Sequence, residues 1–214
     1  MRKIYIEWAS IAKKVTMAIA GLFLAVFLLV HMSINLLMLL EDGGTTFEKA
    51  AAFMGNTIIK PFEVILFSAF IVHIITALIV WWHDQRSRPI KYNKVNKSKT
   101  SFFSKYIIYT GIVILIFLVL HLNQFWWQKM AYHDHSFYFI AKDMFTSSLL
   151  MPIVYVFLFI VLALHLNHAF QAGFQTLGWA SDKYTPLVKK ISTIYAFIIA
   201  LGFSTIPITF YIRG

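Results

Sequence analysis

The chain has 214 residues, 59% of them apolar or aromatic and only 13% charged, with no cysteine. A soluble domain of this size carries about 25% charge, so composition marks an integral membrane protein, and the missing thiols exclude disulfides, thiolate zinc sites and iron–sulfur clusters ligated by this chain. The net charge of +10 would suit nucleic acid, but basic residues flanking apolar runs serve membrane topology, and no nucleic-acid partner is expected.

The start, MRKIYIEWASIAKK, is basic and leads into an apolar run, as a signal peptide does. That run continues for about 26 residues without a cleavage site, which makes it a retained first span near 15–40. Further spans are expected near 58–83, 103–128, 147–172 and 190–212, each beyond the roughly 18 uncharged residues that mark a bilayer-spanning helix. Trp81, Trp82, Trp126, Trp127 and Trp179 fall at span ends, where amphipathic rings favour the headgroup level. The expected fold is all-α: one transmembrane domain over 1–214, a bundle of five helices. Without a soluble domain, low-complexity segment or fixed-period repeat, any soluble catalytic machinery would belong to another chain.

Five spans put the N-terminus, the second connection and the fourth connection on one side of the membrane. Fourteen of the 19 Lys and Arg residues lie on that side and five on the other. Cytoplasmic loops retain the basic excess, so the N-terminus is expected inside and the C-terminus outside. The connection DQRSRPIKYNKVNKSK contributes most. It reads either as a docking surface for a cytoplasmic partner or as a solvated topology signal.

Of eight histidines, His31, His73, His121 and His165 fall one in each of the first four spans. His83 and His168 lie nearer cytoplasmic ends, and His133 and His135 lie in an outer loop. A single intramembrane histidine can serve as a helix–helix hydrogen bond, but four such residues, each costly in lipid, mark a functional interior. The first and third spans run outward, so His31, 17 residues beyond Lys14, and His121, 16 beyond Lys105, lie in the outer half. The second and fourth run inward, so His73 and His165 lie in the inner half. Depth thus sorts them into two pairs, His31 with His121 and His73 with His165.

Two histidines at one depth on facing helices can hold a planar metallomacrocycle by both axial positions. That describes bis-histidine haem b, which needs no cysteine, and its filled iron leaves electron transfer as the role. Two such haems would make an electron path across the bilayer, so the bundle is expected to bind haem through these four residues. Zinc or copper would want three or four ligands converging on one point. Glu63, the one acid close to a span interior, reads best as an interfacial carboxylate, with a helix cap, a proton path or a quinone contact as alternatives.

His165 and His168 are three residues apart and could partly share a face. The stripe through His165 runs Leu158, Leu162, Ala169, Ala172, apolar and then small; the stripe through His168 runs Leu164, Gln171, Gln175 and turns polar. His165 is therefore the expected ligand. His168 suits an interfacial hydrogen bond, to a haem propionate, a quinone or a partner subunit, or simple headgroup contact. Gly21 and Gly111 each precede the outer ligand of their helix by ten residues and serve either helix packing or admission of the inner haem's edge.

The stretches LFLAVFLLVHMSINL around His31, FEVILFSAFIVHIITALIVWW around His73, GIVILIFLVLHLNQ around His121 and HLNHAFQAGFQTLG from His165 resemble the haem-ligand segments of one family. This is the cytochrome b membrane-anchor subunits of succinate:quinone oxidoreductases, in the single-chain two-haem type. The resemblance covers nearly the whole chain. It implies an outer haem on His31 and His121, an inner haem on His73 and His165, and a bacterial cytoplasmic-membrane location. It also implies two cytoplasmic partners, a flavoprotein that interconverts succinate and fumarate and an iron–sulfur protein, with electrons reaching a membrane quinone, for this type menaquinone. The chain would then be a non-flavin subunit of a respiratory complex without a succinate-oxidising site of its own. Two departures matter: Ala169 stands where members often have glycine, and Ala163 where some fumarate reducers carry a carboxylate linked to a proton route. The second puts that route in doubt and favours succinate oxidation, with direction left open. Alternatives are a cytochrome b subunit of a hydrogenase or formate dehydrogenase, and a haem-free scaffold or transporter.

Overall fold

In the computed structural model, residues 2–86, 102–131, 136–179 and 181–214 are described, with the backbone alone for 2–10 and 102–105. His133, His135 and the basic connection from residue 87 onward lie outside the described residues. Every regular element among those described is helical: α1 (Arg2–Leu36), α2 (Thr45–Met54), α3 (Lys60–Arg86), α4 (Phe102–His121), α5 (Gln128–Ala131), α6 (Phe137–Thr146), α7 (Leu150–Thr176) and α8 (Thr185–Arg213). A 3-10 turn, Leu37–Leu39, extends α1, and a π-helical turn, Leu122–Trp127, joins α4 to α5.

Five stretches of 26 to 29 residues are apolar and long enough to cross a bilayer: Ile11–Leu39, Lys60–Arg86, Tyr106–Ala131, Leu150–Thr176 and Thr185–Arg213. At 1.5 Å per residue each reaches about 40 Å, beyond a hydrocarbon core of about 30 Å. The protein is an all-α, multi-pass membrane protein. The fifth span begins at Thr185 rather than near 190, because Pro186 sits in its first turn, where a missing N–H costs nothing.

Two ten-residue helices, α2 and α6, form within the first and third connections between spans. Each is too short to carry a span-length apolar signal. They close one end of the bundle, where α1 and α4 finish. Glu48 of α2 accepts hydrogen bonds from Ser136 Oγ (2.6 Å) and the Tyr138 amide (2.9 Å) at the start of α6, a charge-assisted clamp. Phe47, Ala141 and Phe145 bury the undersides of these helices.

The turn into α2 depends on Gly44, which has φ 85° and lies against the Tyr138 ring. A side chain at positive φ costs about 1 kcal/mol, and a methyl group here would also overlap that ring. Gly44→Ala is therefore expected to lower the protection of α2 and α6 amides in hydrogen exchange. Gly43→Ala, at φ 66° with nothing within 4 Å, should show the conformational cost alone. Equal effects would show that Tyr138 is not seated there.

Asp42 caps the same turn, its carboxylate accepting from the amides of Gly44 (3.0 Å) and Thr46 (2.9 Å). Hydrogen bonds from Thr46, side chain first and then backbone, hold the Asp42 carboxyl below its ordinary value of 3.8. Its contribution is therefore complete above that ordinary value and is lost as pH falls through the lower folded one. Exchange protection of α2 should fall over that acid window, and Asp42→Asn should flatten the dependence.

α8 backs the bundle, packing on α7 and α1. Ile199 is wholly buried, Phe159 and Phe203 stack at 5.2 Å, and Gly202 lets Met32 of α1 approach the α8 backbone; small residues permit such approaches in membranes. α3 packs on α1 and α4 on α7, while neither α3 with α4 nor α3 with α7 packs closely. Two helix pairs, α1/α3 and α4/α7, thus meet through α1 and α7 and leave space between them.

Candidate functional site

That space is a cavity of about 1860 Å³, lined by α1, α3, α4 and α7 and bordered by α8 and the two capping helices. Packed interiors hold few voids larger than a water molecule, and ligand pockets commonly measure about 300–1,000 Å³, so the volume suits more than one bulky group. Its walls are apolar but for a few side chains, and those include His31, His73, His121, His165 and His168.

Nearer the capped end, His31 of α1 and His121 of α4 face each other, ring centroids 6.0 Å apart and planes at 90°. His31 lies on Phe27 (5.3 Å) and against Phe203 (5.8 Å). The Asn35 amide donates to the His31 carbonyl at 2.7 Å and lies 3.4 Å from His31 Nδ1. His121 sits between Phe117 (5.7 Å) and Phe125 (5.0 Å). Its Nδ1 is the one buried side-chain nitrogen or oxygen among the described residues without a hydrogen-bond partner, and such an atom is costly unless something else engages the ring.

Farther along, His73 Nδ1 meets the Met17 carbonyl at 3.3 Å and His165 Nδ1 meets Thr110 Oγ1 at 3.1 Å. The carbonyl can only accept, and the Thr110 hydroxyl proton goes to the Ile107 carbonyl (2.9 Å). Both Nδ1 atoms therefore carry the proton, and each Nε2 keeps its lone pair.

Gly21 and Gly111 set the depth of this second pair. A Cβ at Gly21 would stand 3.0 Å from His73 Cε1, and one at Gly111 would stand 3.5 Å from His165 Cε1. Each glycine is ten residues before His31 or His121 on its own helix, about 15 Å along the axis. The four rings thus occupy two levels of one cavity, in the pairs that depth had suggested. The glycines make room for imidazoles, a role that neither sequence alternative named.

His168 does not share a face with Gln171 and Gln175. It stands on the cavity wall beyond His165, in line with Ala172 and Thr176 at i+4 and i+8. Gln171 and Gln175 turn instead to a separate groove of about 580 Å³ with Asp182 and Lys189, and Gln171 donates to Asn167 at 2.8 Å. Glu63 is exposed in the first turn of α3, away from the cavity, where the positive helix end favours a carboxylate. Trp81 and Trp126 edge the cavity, and Trp82, Trp127 and Trp179 are exposed.

Sequence reasoning missed Thr110, the Met17 carbonyl, Asn35, Gln124 and Tyr155. Of these only Thr110, a polar residue beside Gly111 in an apolar run, left a visible signal. Among the described residues no three His, Asp or Glu side chains converge on a point. Two imidazoles bonded to one metal at about 2 Å each place their ring centroids about 6 Å apart, close to the His31–His121 separation. Imidazoles that share a level of an apolar cavity, as His31 and His121 do, could hold a metallomacrocycle between them. Comparison with protein-family models, curated proteins and solved structures returns no match.

Proposed function

We propose that this chain is the two-haem cytochrome b membrane anchor of a succinate:quinone oxidoreductase, carrying electrons between cytoplasmic iron–sulfur and flavoprotein subunits and a membrane quinone, menaquinone for this type. The observation that carries the reading is the apolar cavity with two levels of paired histidines, His31 with His121 and His73 with His165.

Haem b, when bound, would supply one-electron transfer. His31 and His121 would hold the outer group, and His73 and His165 the inner one. The Met17 carbonyl and the Thr110 hydroxyl fix the tautomer and orientation of the inner ligands, as outer partners of metal-bound histidines do. The apolar walls exclude water from both levels. The distribution of Lys and Arg supports an N-terminus on the inner side of a bacterial cytoplasmic membrane, and with it a His73 level nearer the cytoplasmic partners.

The test is a reduced-minus-oxidised spectrum of the purified protein together with reduction by succinate in membranes. Haem b bands that succinate elicits, and copurification with a flavoprotein and an iron–sulfur protein, are expected. Bands elicited by formate or hydrogen but not succinate would move the chain to another respiratory complex, and absence of bands would leave a haem-free membrane protein.

A further inference from the structure

Three of the four cavity-pair histidines have a polar neighbour at Nδ1: Asn35 for His31, the Met17 carbonyl for His73 and Thr110 for His165. His121 has none. Its ring plane must therefore be set by packing, and its bed is aromatic. Phe117 lies on one side and Phe125 on the other.

Both phenylalanines lead to one residue of α7. Tyr155, 4% exposed, meets Phe117 edge to face at 5.4 Å and 88°. It is wedged from behind by Phe145 at 5.0 Å. Its hydroxyl donates to Gln124 Oε1, and Gln124 and Phe125 both belong to the π-helical turn Leu122–Trp127 that begins directly after His121. A π turn is an uncommon interruption of a helix and tends to occur at functional sites, because it re-aims the side chains beside it. Tyr155 thus braces one wall of the His121 bed through its ring and pins the other through its hydroxyl.

We infer that Tyr155 and Gln124 are positioning residues that hold the His121 ring perpendicular to that of His31 and so set the electronic character of the outer centre. The inference rests on the haem reading above. The electronic state of a ferric haem with two axial imidazoles depends on the angle between their planes, which the protein controls through packing and hydrogen bonding. A loosened His121 would rotate, and the outer centre alone would respond.

The test is electron paramagnetic resonance of the oxidised full-length protein, in wild type and in Tyr155→Phe, Gln124→Ala and the double variant. His31→Ala first identifies the outer signal as the one lost. Tyr155→Phe and Gln124→Ala are each expected to move the outer signal's largest g value downward, toward that of less perpendicular rings, while the inner signal stays in place. The double variant should move it no further than either single one, since both remove the same hydrogen bond. Selective loss of the outer haem would also support the inference, because it reports a misplaced His121. An unchanged outer signal in loaded Tyr155→Phe overturns it, even if thermal stability falls, and so does an equal change in both signals or loss of both haems. A wild-type protein without haem b would instead overturn the underlying reading.

Discussion

On the proposed two-haem reading, His165→Ala is expected to halve the haem content, from two per chain to one, while His168→Ala retains both. Both residues lie on the cavity wall, so exposure to the cavity does not separate them. Position and support do. His165 lies at the level of Gly111, with its Nδ1 engaged by Thr110, a partner that leaves Nε2 able to bind a metal. His168 is about 4.5 Å farther along the axis and rotated by about 60°, where it would meet a ligand's edge rather than its centre. Haem per protein, measured spectroscopically after denaturation, decides the matter. Two haems without His165 would reverse the assignment. One haem without His168 would make His168 necessary for retention as well.

On the same proposed reading, Gly21→Ala is expected to deplete the inner haem, whereas Gly111→Ala leaves it close to wild type. The substitutions are chemically identical and differ in the space they meet. At Gly21 the new Cβ stands 3.0 Å from Cε1 and 3.2 Å from Nδ1 of His73, closer than ordinary contact. The ring cannot simply withdraw, because its Nδ1 is tied to Met17 one helical turn earlier. At Gly111 the distance to His165 is 3.5 Å, ordinary van der Waals contact. Overpacking typically costs about 1–3 kcal/mol, and here the strain falls on a ligand. Gly21→Leu, with a larger side chain in the same place, should remove the inner haem entirely. The readout is the loss of one spectral component with the other intact. Equal retention in Gly21→Ala and Gly111→Ala would show that His73 has room to shift.

Membrane insertion, helical class and the number of spans were legible in the sequence, because lipid demands long apolar segments whose backbone groups are satisfied internally. The histidine pairs were legible for the same reason. A helix that must cross the bilayer fixes depth by counting residues, and counting placed His31 with His121 and His73 with His165. The short helices α2 and α6 were not legible, since Glu48, Ser136 and Tyr138 hold them together across a separation of 88 residues or more. Rotation of each helix about its axis was also hidden, because most faces of these spans are equally apolar. Only packing could turn His168 toward the cavity and its neighbour Gln171 away from it. Packing likewise turned Gly21 and Gly111 toward imidazoles, brought Met17 and Thr110 to the Nδ1 atoms, and seated Tyr155 against the Phe117 ring beside His121. Sequence thus determined depth, through the fixed rise of a helix; tertiary structure decided azimuth, through contacts that no local pattern encodes.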